Sequence, residues 1–178
     1  MKYELRDVPR LAPEQKLCSF QEAAAITNPD GRRANGHTFI MVPGVFDIIH
    51  PGHLNFFKGA GKYGLVIAGL EGDASVRANK GPGRPVNTID ERMLVVASLE
   101  WVNLVCELPG APLYSDAASA DLYVDRISTI NPTFVAVPEG DPNINAKWHQ
   151  AFAAGSFPVI IPGRHPNSTT QMLQKVGY

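Results

Sequence analysis

Cysteine is scarce in this chain of 178 residues: Cys18 and Cys106 are the only two, too few for a disulfide scaffold. Net charge is also nearly absent, since sixteen Lys and Arg residues face seventeen Asp and Glu residues and leave −1. The sequence therefore has no overall positive charge that could hold nucleic acid or an anionic membrane. Any anion that the protein binds must be held by a local site.

Long hydrophobic runs are missing as well, and none approaches the roughly 20 residues of a membrane-spanning helix. Residues 1–10 mix charges of both signs and lack the apolar segment of a signal peptide. We therefore expect a cytoplasmic protein without nucleic-acid or membrane partners. Hydrophobic residues still make up 44% of the chain, which suffices for the core of one domain.

From His37 onward, short apolar runs alternate with helical stretches. The runs are residues 38–42, 65–70, 102–106, 133–137 and 157–161. The helical stretches are residues 51–62, 90–100, 117–130 and 146–154, with a last helix beginning near Ser168. Because the runs are mostly apolar at both odd and even positions, they are typical of strands buried on both faces. The order predicts an α/β fold: a Rossmann-like open parallel sheet of about five strands with helices on both faces.

The first 36 residues differ from the rest, because they are polar and contain one short helical pattern. Ser19 and Glu22 form a capping box that is followed by three alanines. We predict that residues 1–36 are an N-terminal arm packed on a domain of residues 37–178.

Two histidines lie close to the end of the first predicted strand. Gly44 permits a tight turn there, and Pro51 suits the first turn of a helix. His50 and His53 therefore flank a helix N-terminus, where backbone N–H groups and two imidazoles could hold phosphate oxygens. The same spacing also fits zinc ligands or ordinary surface histidines, and the two residues alone do not decide between these alternatives.

The wider motif Gly44-x-Phe46-Asp47-x-x-His50-x-Gly52-His53 resembles the H-x-G-H signature of the cytidylyltransferase-like nucleotidyltransferase superfamily. The resemblance implies that both histidines contact the nucleoside triphosphate and stabilise the pentavalent α-phosphate. The nucleotide-binding residues implied for this segment are Gly44, Val45, Phe46, Asp47 and Gly52. For Asp47, a turn-stabilising hydrogen bond remains open beside a direct catalytic role.

The stretch Asp73-Ala-Ser-Val with Lys80-Gly-Pro-x-Arg84-Pro resembles a block of the D-glycero-D-manno-heptose 1-phosphate adenylyltransferases. The resemblance implies that Lys80 is a flexible catalytic cation, and that Asp73 and Arg84 help to bind nucleotide or phosphate. Arg92 follows Glu91 where the family has a phosphate-contacting arginine, so we include Arg92 among the catalytic residues.

A Ser168-Thr169-Thr170 element near the C-terminus resembles the superfamily's contact with the β- and γ-phosphates, and Arg164 lies just upstream. Two segments depart from the heptose branch. Glu71-Gly72-Asp73 replaces Asn-Ser-Asp, and Pro138 and Pro142 replace a lysine and a tyrosine. These departures leave the identities of base and sugar open, and Glu71 and Glu139 would repel an anionic acceptor unless they face hydroxyls or a metal.

The resemblance implies transfer of a nucleoside monophosphate from NTP, with ATP expected, to a sugar phosphate such as heptose 1-phosphate, with release of pyrophosphate. It also implies Mg²⁺ that arrives with the NTP, and a homodimer. One alternative is a CTP-dependent enzyme acting on glycerol 3-phosphate or another phosphorylated or phosphono-alcohol. A second is a non-catalytic nucleotide-binding module, and a structural zinc protein ranks last.

Overall fold

The computed structural model describes residues 11–34, 36–113, 116 and 119–163. These residues contain a single five-stranded sheet whose strands are β1 (Phe39–Gly44), β2 (Leu65–Glu71), β3 (Val102–Leu108), β4 (Phe134–Pro138) and β5 (Phe157–Ile161). All neighbouring strands are parallel and their order across the sheet is β3-β2-β1-β4-β5. The prediction of a Rossmann-like parallel sheet is confirmed.

The strand order reverses between β1 and β4, because the chain runs outward from β1 to β3 on one side and from β4 to β5 on the other. In open α/β sheets of this kind, ligands bind at the carboxyl ends of the strands beside such a reversal. The loops after β1 and β4 therefore meet where a ligand is expected.

Six α-helices surround the sheet in the described part of the chain. They are α1 (Phe20–Thr27), α2 (Pro51–Ala60), α3 (Asp73–Lys80), α4 (Ile89–Ala97), α5 (Ala120–Ile130) and α6 (Ile144–Ala153). Helix α3 is not among the helical stretches predicted from the sequence. Only Ser75 and Val76 are buried in this polar helix, so it lacks the apolar periodicity by which helices are found.

Each face of the sheet has its own hydrophobic core. Phe57 of α2 and Val96 of α4 pack against inward residues such as Ile40 on one face. On the other face, Met41 packs with Ile127 of α5 and further apolar side chains of α1 and α6. Because successive residues of β1 are buried in opposite cores, the double-sided apolar pattern of the sequence is explained.

Residues 12–27 of the N-terminal segment pack beside β3 and α5. The backbone N–H of Cys18 donates to the carbonyl of Val105 at 3.0 Å. The buried hydroxyl of Thr27 donates to the carbonyl of Ile130 at 2.7 Å, which fixes the end of α1 against the end of α5. The division of the chain at residue 36 stays a prediction.

No helix in the described ranges is both long and apolar enough to cross a lipid bilayer.

We predict that Gly64→Ala destabilises the fold by about 1–3 kcal/mol, as overpacking of a close contact does. A Cβ at Gly64 would overlap the carbonyl oxygen of Thr38 and lie 2.8 Å from its carbonyl carbon, where Leu65 begins its pairing with β1. Urea unfolding measures the loss. The matched control is Gly61→Ala, whose new Cβ would meet nothing closer than 3.5 Å, and equal stability of the two variants would contradict the prediction.

Candidate active site

The turn after β1 is shaped by one aromatic ring. Phe46 has a positive φ of 49° and is buried, with its ring centroid 4.8 Å from that of Phe57. A Cβ on Gly44 would lie 2.7 Å from the ring of Phe46, so only glycine allows the ring to fold back over the end of the strand. This packing directs the following residues toward the start of α2.

The two predicted histidines stack on each other at the N-terminus of α2. His50 is the N-cap residue, and its Nδ1 accepts a hydrogen bond from the backbone N–H of Gly52 at 3.1 Å. A neutral ring that accepts at Nδ1 carries its proton on Nε2, which makes Nε2 a hydrogen-bond donor. The ring of His53 stacks on that of His50, with a centroid distance of 3.8 Å. Two imidazoles thus lie together beside a helix N-terminus.

Burial strongly favours the neutral form of His53. Desolvation lowers its pKa from the ordinary 6.5 to about 4, and the nearby His50 adds to the shift. The backbone of Ile48 opposes the shift by favouring the protonated ring. The buried Nδ1 of His53 makes no hydrogen bond of normal geometry among the described residues. A bound anion would stabilise the protonated ring, so the site can take up a proton when it is filled.

Asp47 anchors a second loop beneath the histidines. Its buried carboxylate accepts the Nε–H of Arg84 at 2.9 Å and the backbone N–H groups of Val86 and Asn87 at about 3.0 Å. The side chain of Asn87 donates in return to the carbonyl of Asp47. These contacts fit the stabilising role left open in the sequence, although they reach 37 to 40 residues along the chain instead of closing a local turn.

Arg92 lies beneath the loops and not in the cavity that they form. It is 1% exposed and commits four of its N–H groups to oxygens of the protein. Its acceptors are the carbonyls of Val45, Glu71 and Asn87 and the carboxylate of Asp73, at 2.6 to 3.2 Å. In this structure Arg92 and Asp73 hold the loops together, and the phosphate contacts that the resemblance implies for them stay a prediction.

Most of the other predicted residues line one cavity of about 410 Å³, which we call the first cavity. Its walls include the predicted residues Gly44, Val45, Phe46, Asp47, His50, Gly52, His53, Lys80 and Arg84. Residues 138–142, which comprise the end of β4 and the loop after it, also line the cavity. The loops of β1 and β4 therefore meet as the strand order predicts, and the volume is in the range of small-molecule sites.

The segment 138–142 holds two carboxylates, and both have partners within it or nearby. Glu139 accepts the backbone N–H of Gly163 at 3.2 Å. Asp141 accepts the backbone N–H of Asn143 and forms an ion pair with Lys147 of α6 at 2.6 Å. Lys147 was not singled out from the sequence, yet it brings positive charge to the loop where Pro138 replaces the family's lysine.

Glu71 is the other acidic residue at which the sequence departs from the heptose branch. Its charge is neutralised by an ion pair that the sequence did not predict. Its buried carboxylate forms an ion pair with the buried Arg126 of α5 at 3.0 Å and accepts the hydroxyl hydrogen of Ser75 at 2.8 Å. The repulsion expected between Glu71 and an anionic acceptor is therefore largely cancelled. No motif spacing marks Arg126, because α5 reaches Glu71 only through the packing of the sheet.

Four predicted phosphate-binding residues, Arg164, Ser168, Thr169 and Thr170, lie outside the described residues, as does the predicted last helix. Their placement stays a prediction.

A cluster of three or more His, Cys, Asp or Glu side chains that could bind a metal does not occur within residues 11–34, 36–113, 116 and 119–163. The carboxylates nearest the first cavity are committed to Arg84, Lys147 and backbone N–H groups. Any Mg²⁺ here would therefore depend on oxygens of the nucleotide for most of its ligands.

Comparison with known proteins identifies the family of this site. The sequence model of the Cytidylyltransferase-like family matches residues 41–155, a range that contains the stacked histidines, Lys80 and Arg92. The chain belongs to the cytidylyltransferase-like family. The prediction of a nucleotidyltransferase from the H-x-G-H motif is thereby confirmed at the level of the family.

The chain is also similar to one part of larger proteins. It is 34% identical over 158 residues to the bifunctional protein HldE of Vibrio vulnificus (strain YJ016), covering 87% of this chain and 31% of the relative. It is 44% identical over 147 residues to the bifunctional protein HldE of Shewanella denitrificans, covering 81% of this chain and 29% of the relative. The chain thus spans less than a third of the length of these curated relatives.

Among solved structures, the lipopolysaccharide core biosynthesis protein from Thermoplasma volcanium GSS1 has a TM-score of 0.56 and 18% identity to this chain. The match covers 74% of this chain and 100% of that protein. At 18% sequence identity, this structural similarity shows that the two proteins share a fold.

We predict that acid weakens the fold partly through His53. Its pKa is lowered in the folded state, so the unfolded chain binds the extra proton, and stability falls as the pH drops from 6.5 to about 4. A shift of this size corresponds to about 3 kcal/mol over that window. Denaturant unfolding across this pH range should show a shallower loss in His53→Gln than in the parent chain.

The matched control is His149→Gln on the exposed side of α6, which should keep the pH slope of the parent. An unchanged slope in His53→Gln would show that the folded chain does not disfavour protonation of this ring.

Proposed function

We propose that this chain transfers a nucleoside monophosphate from NTP to a sugar phosphate such as heptose 1-phosphate, with ATP as the nucleotide, and releases pyrophosphate. The similarity to the bifunctional HldE proteins supports the sugar phosphate, as does the resemblance of residues 73–85 to the heptose branch. Because the chain corresponds to only part of those relatives, their full activity is not assigned to it.

The stacked pair of imidazoles at the N-terminus of α2 carries this proposal. His50 and His53 lie 3.8 Å apart between ring centroids and line the first cavity at the N-terminus of α2, the positive end of the helix dipole. Such an arrangement favours a group whose negative charge grows during reaction, because the donors are already in place. A triphosphate under nucleophilic attack at its α-phosphorus is a group of that kind.

The reaction is an in-line displacement. A phosphate oxygen of the acceptor attacks the α-phosphorus, the bond from the α-phosphorus to the bridging oxygen breaks, and pyrophosphate leaves with the electron pair. The attacking oxygen is already an anion, so a general base is not required. Catalysis then depends on orientation and on neutralising charge around the α-phosphorus.

The residues that we assign to charge neutralisation are His50, His53 and Lys80. Lys80 ends α3 and lines the first cavity, and the positive-φ glycines Gly81 and Gly83 follow it. A lysine on such a segment acts as a movable point charge for phosphate. Arg84 extends the same wall while it holds Asp47, so its role combines positioning and phosphate contact.

We propose Mg²⁺ as the accompanying cofactor, held mainly by the triphosphate. When bound, it would reduce the negative charge of the phosphates that the acceptor approaches. Glu139, at the edge of the first cavity, is the carboxylate best placed to assist.

The test is a pyrophosphate-release assay that crosses four NTPs with a panel of sugar and alditol phosphates. We expect the highest turnover with ATP and a sugar 1-phosphate, and a decrease of about 10²–10³-fold in His50→Ala and in His53→Ala. The control is His149→Ala on α6. Near-parental turnover in both active-site variants would remove the histidines from the mechanism.

The same assay separates the two alternatives. Preference for CTP with glycerol 3-phosphate would replace the proposed substrates while keeping the chemistry. Tight nucleotide binding without pyrophosphate release from any pair would indicate the non-catalytic module.

We further propose a homodimer, as family resemblance implies. The edge strand β5 exposes Phe157 and Ile160, at 56% and 42% of their surfaces, and such side chains are suited to contact between subunits. Light scattering after gel filtration should give twice the monomer mass of 19.3 kDa, whereas the monomer mass at micromolar concentration would reject the proposal. Cytoplasmic location stays a prediction.

A further inference from the structure

Helix α3 carries Lys80 as its last residue and is held to the rest of the protein mainly by polar side chains. Of its eight residues, only Ser75 and Val76 are buried. We propose that Asn79 is a positioning residue for the reaction: its amide fixes the last turn of α3 and thereby places Lys80 at the first cavity. The inference rests on the proposed function, because Lys80 has its role in that reaction.

Two polar contacts hold the N-terminal half of α3. Asp73, the first residue of the helix, accepts a hydrogen bond from the guanidinium of Arg92 at 2.7 Å. Ser75 donates its hydroxyl hydrogen to the carboxylate of Glu71 at 2.8 Å, and the ion pair with Arg126 fixes that carboxylate. The two guanidinium groups and Glu71 are buried, so this end of the helix is attached to well-packed parts of the protein.

Asn79 attaches the C-terminal half of the same helix. Its side-chain Nδ2 donates to the carbonyl of Ser75, four residues earlier in α3, at 2.8 Å. The same nitrogen donates to the carbonyl of Pro112, in the segment after β3, also at 2.8 Å. Because a carboxamide nitrogen carries two hydrogens, both bonds can form at once. The amide therefore joins the last turn of α3 to the segment after β3, at the residue immediately before Lys80.

The chain beyond Lys80 has free space around it until the next anchored residue. Gly81 and Gly83 have positive φ angles of 88° and 79°, and a Cβ added at either would meet no atom of the described residues within 4 Å. Arg84 is then fixed by Asp47, with 2.9 Å between its Nε and the carboxylate. Lys80 therefore lies between two fixed residues, of which its immediate neighbour in α3 is the closer in the chain.

The length of α3 makes the attachment of its last turn important. Lys80 lies seven positions after Asp73, which corresponds to about 10 Å along a helix. A small rotation about the contacts at the N-terminal end would therefore displace Lys80 more than it displaces Asp73. Because charge neutralisation requires the ammonium group to reach the phosphate, a displacement of about 1 Å is enough to lower the rate markedly.

Asn79→Ala removes the amide without weakening the helix itself, because alanine has the highest helix propensity. We expect a non-hydrolysable ATP analogue to bind about 5-fold more weakly to this variant, and kcat for pyrophosphate release to fall about 10-fold. In a Lys80→Ala background, the same substitution should change either quantity by less than about 2-fold, because the group that it positions is gone. Calorimetry measures the binding, and the pyrophosphate-release assay measures kcat.

The matched control is Asn145→Ala, which removes an exposed asparagine of α6 and should leave both quantities as they are in either background. Equal losses from Asn79→Ala with and without Lys80 would show that the amide supports the fold in general, and would overturn the proposal. Parental binding and kcat in the single Asn79→Ala variant would overturn it as well.

Hydrogen exchange followed by mass spectrometry gives a readout that does not depend on the reaction. We expect the backbone amides of residues 77–80 to exchange faster in Asn79→Ala than in the parent chain, because the last turn of α3 opens more often. Amides of α4, which packs on the sheet, should exchange at the parental rate. Parental exchange at residues 77–80 would show that the amide does not fix the helix.

Failure of the two proposals can be told apart. A parent chain that neither binds the ATP analogue nor releases pyrophosphate with any pair of substrates would reject the proposed function, and with it the role of Lys80. A parent chain that does both, while the effects of Asn79→Ala and Lys80→Ala are additive, would reject only the positioning role of Asn79. If the analogue binds without turnover, the four binding constants alone decide the inference.

Discussion

One buried guanidinium holds the loops of this protein together. Arg92 of α4 bonds at once to Val45 after β1, to Glu71 at the end of β2, to the first residue of α3, and to Asn87 two residues before its own helix. These acceptors lie around the carboxyl ends of β1 and β2, and the guanidinium is buried among them. Placing a charge there requires that nearly every N–H group be satisfied, and the structure meets that requirement.

The other charged side chains around the site either fix the loops, as Arg92 does, or line the cavity. Asp47 and Arg84 fix the loop beneath the histidines, and Glu71 and Arg126 join the end of β2 to α5. Groups with movable protons or flexible stems, the two imidazoles and Lys80, are left at the cavity surface. The first set gives the site its shape, and we propose that the second set contacts the phosphates, as in sites that act by preorganised electrostatics.

Local patterns in the sequence were enough to predict the sheet and the histidine loop. Buried parallel strands are apolar at every position, and the turn, proline and histidines of residues 44–53 lie within one short segment. The polar helix α3 carries no such pattern. Arg126 and Lys147 were missed because their position depends on how α5 and α6 pack beside β1, and the inward placement of Arg92 depends on residues 19 and 47 positions away in the chain.

The central strand β1 separates two hydrophobic cores. Helices α2 and α4 pack on one face of the sheet, whereas α1, α5 and α6 pack on the other. Substitutions within one core leave the packing of the other core largely unaltered, so the histidine loop beside α2 can be retained while the opposite face changes. A sheet whose strand order reverses between β1 and β4 therefore allows related proteins to keep the histidine loop and to differ on the other face of the sheet.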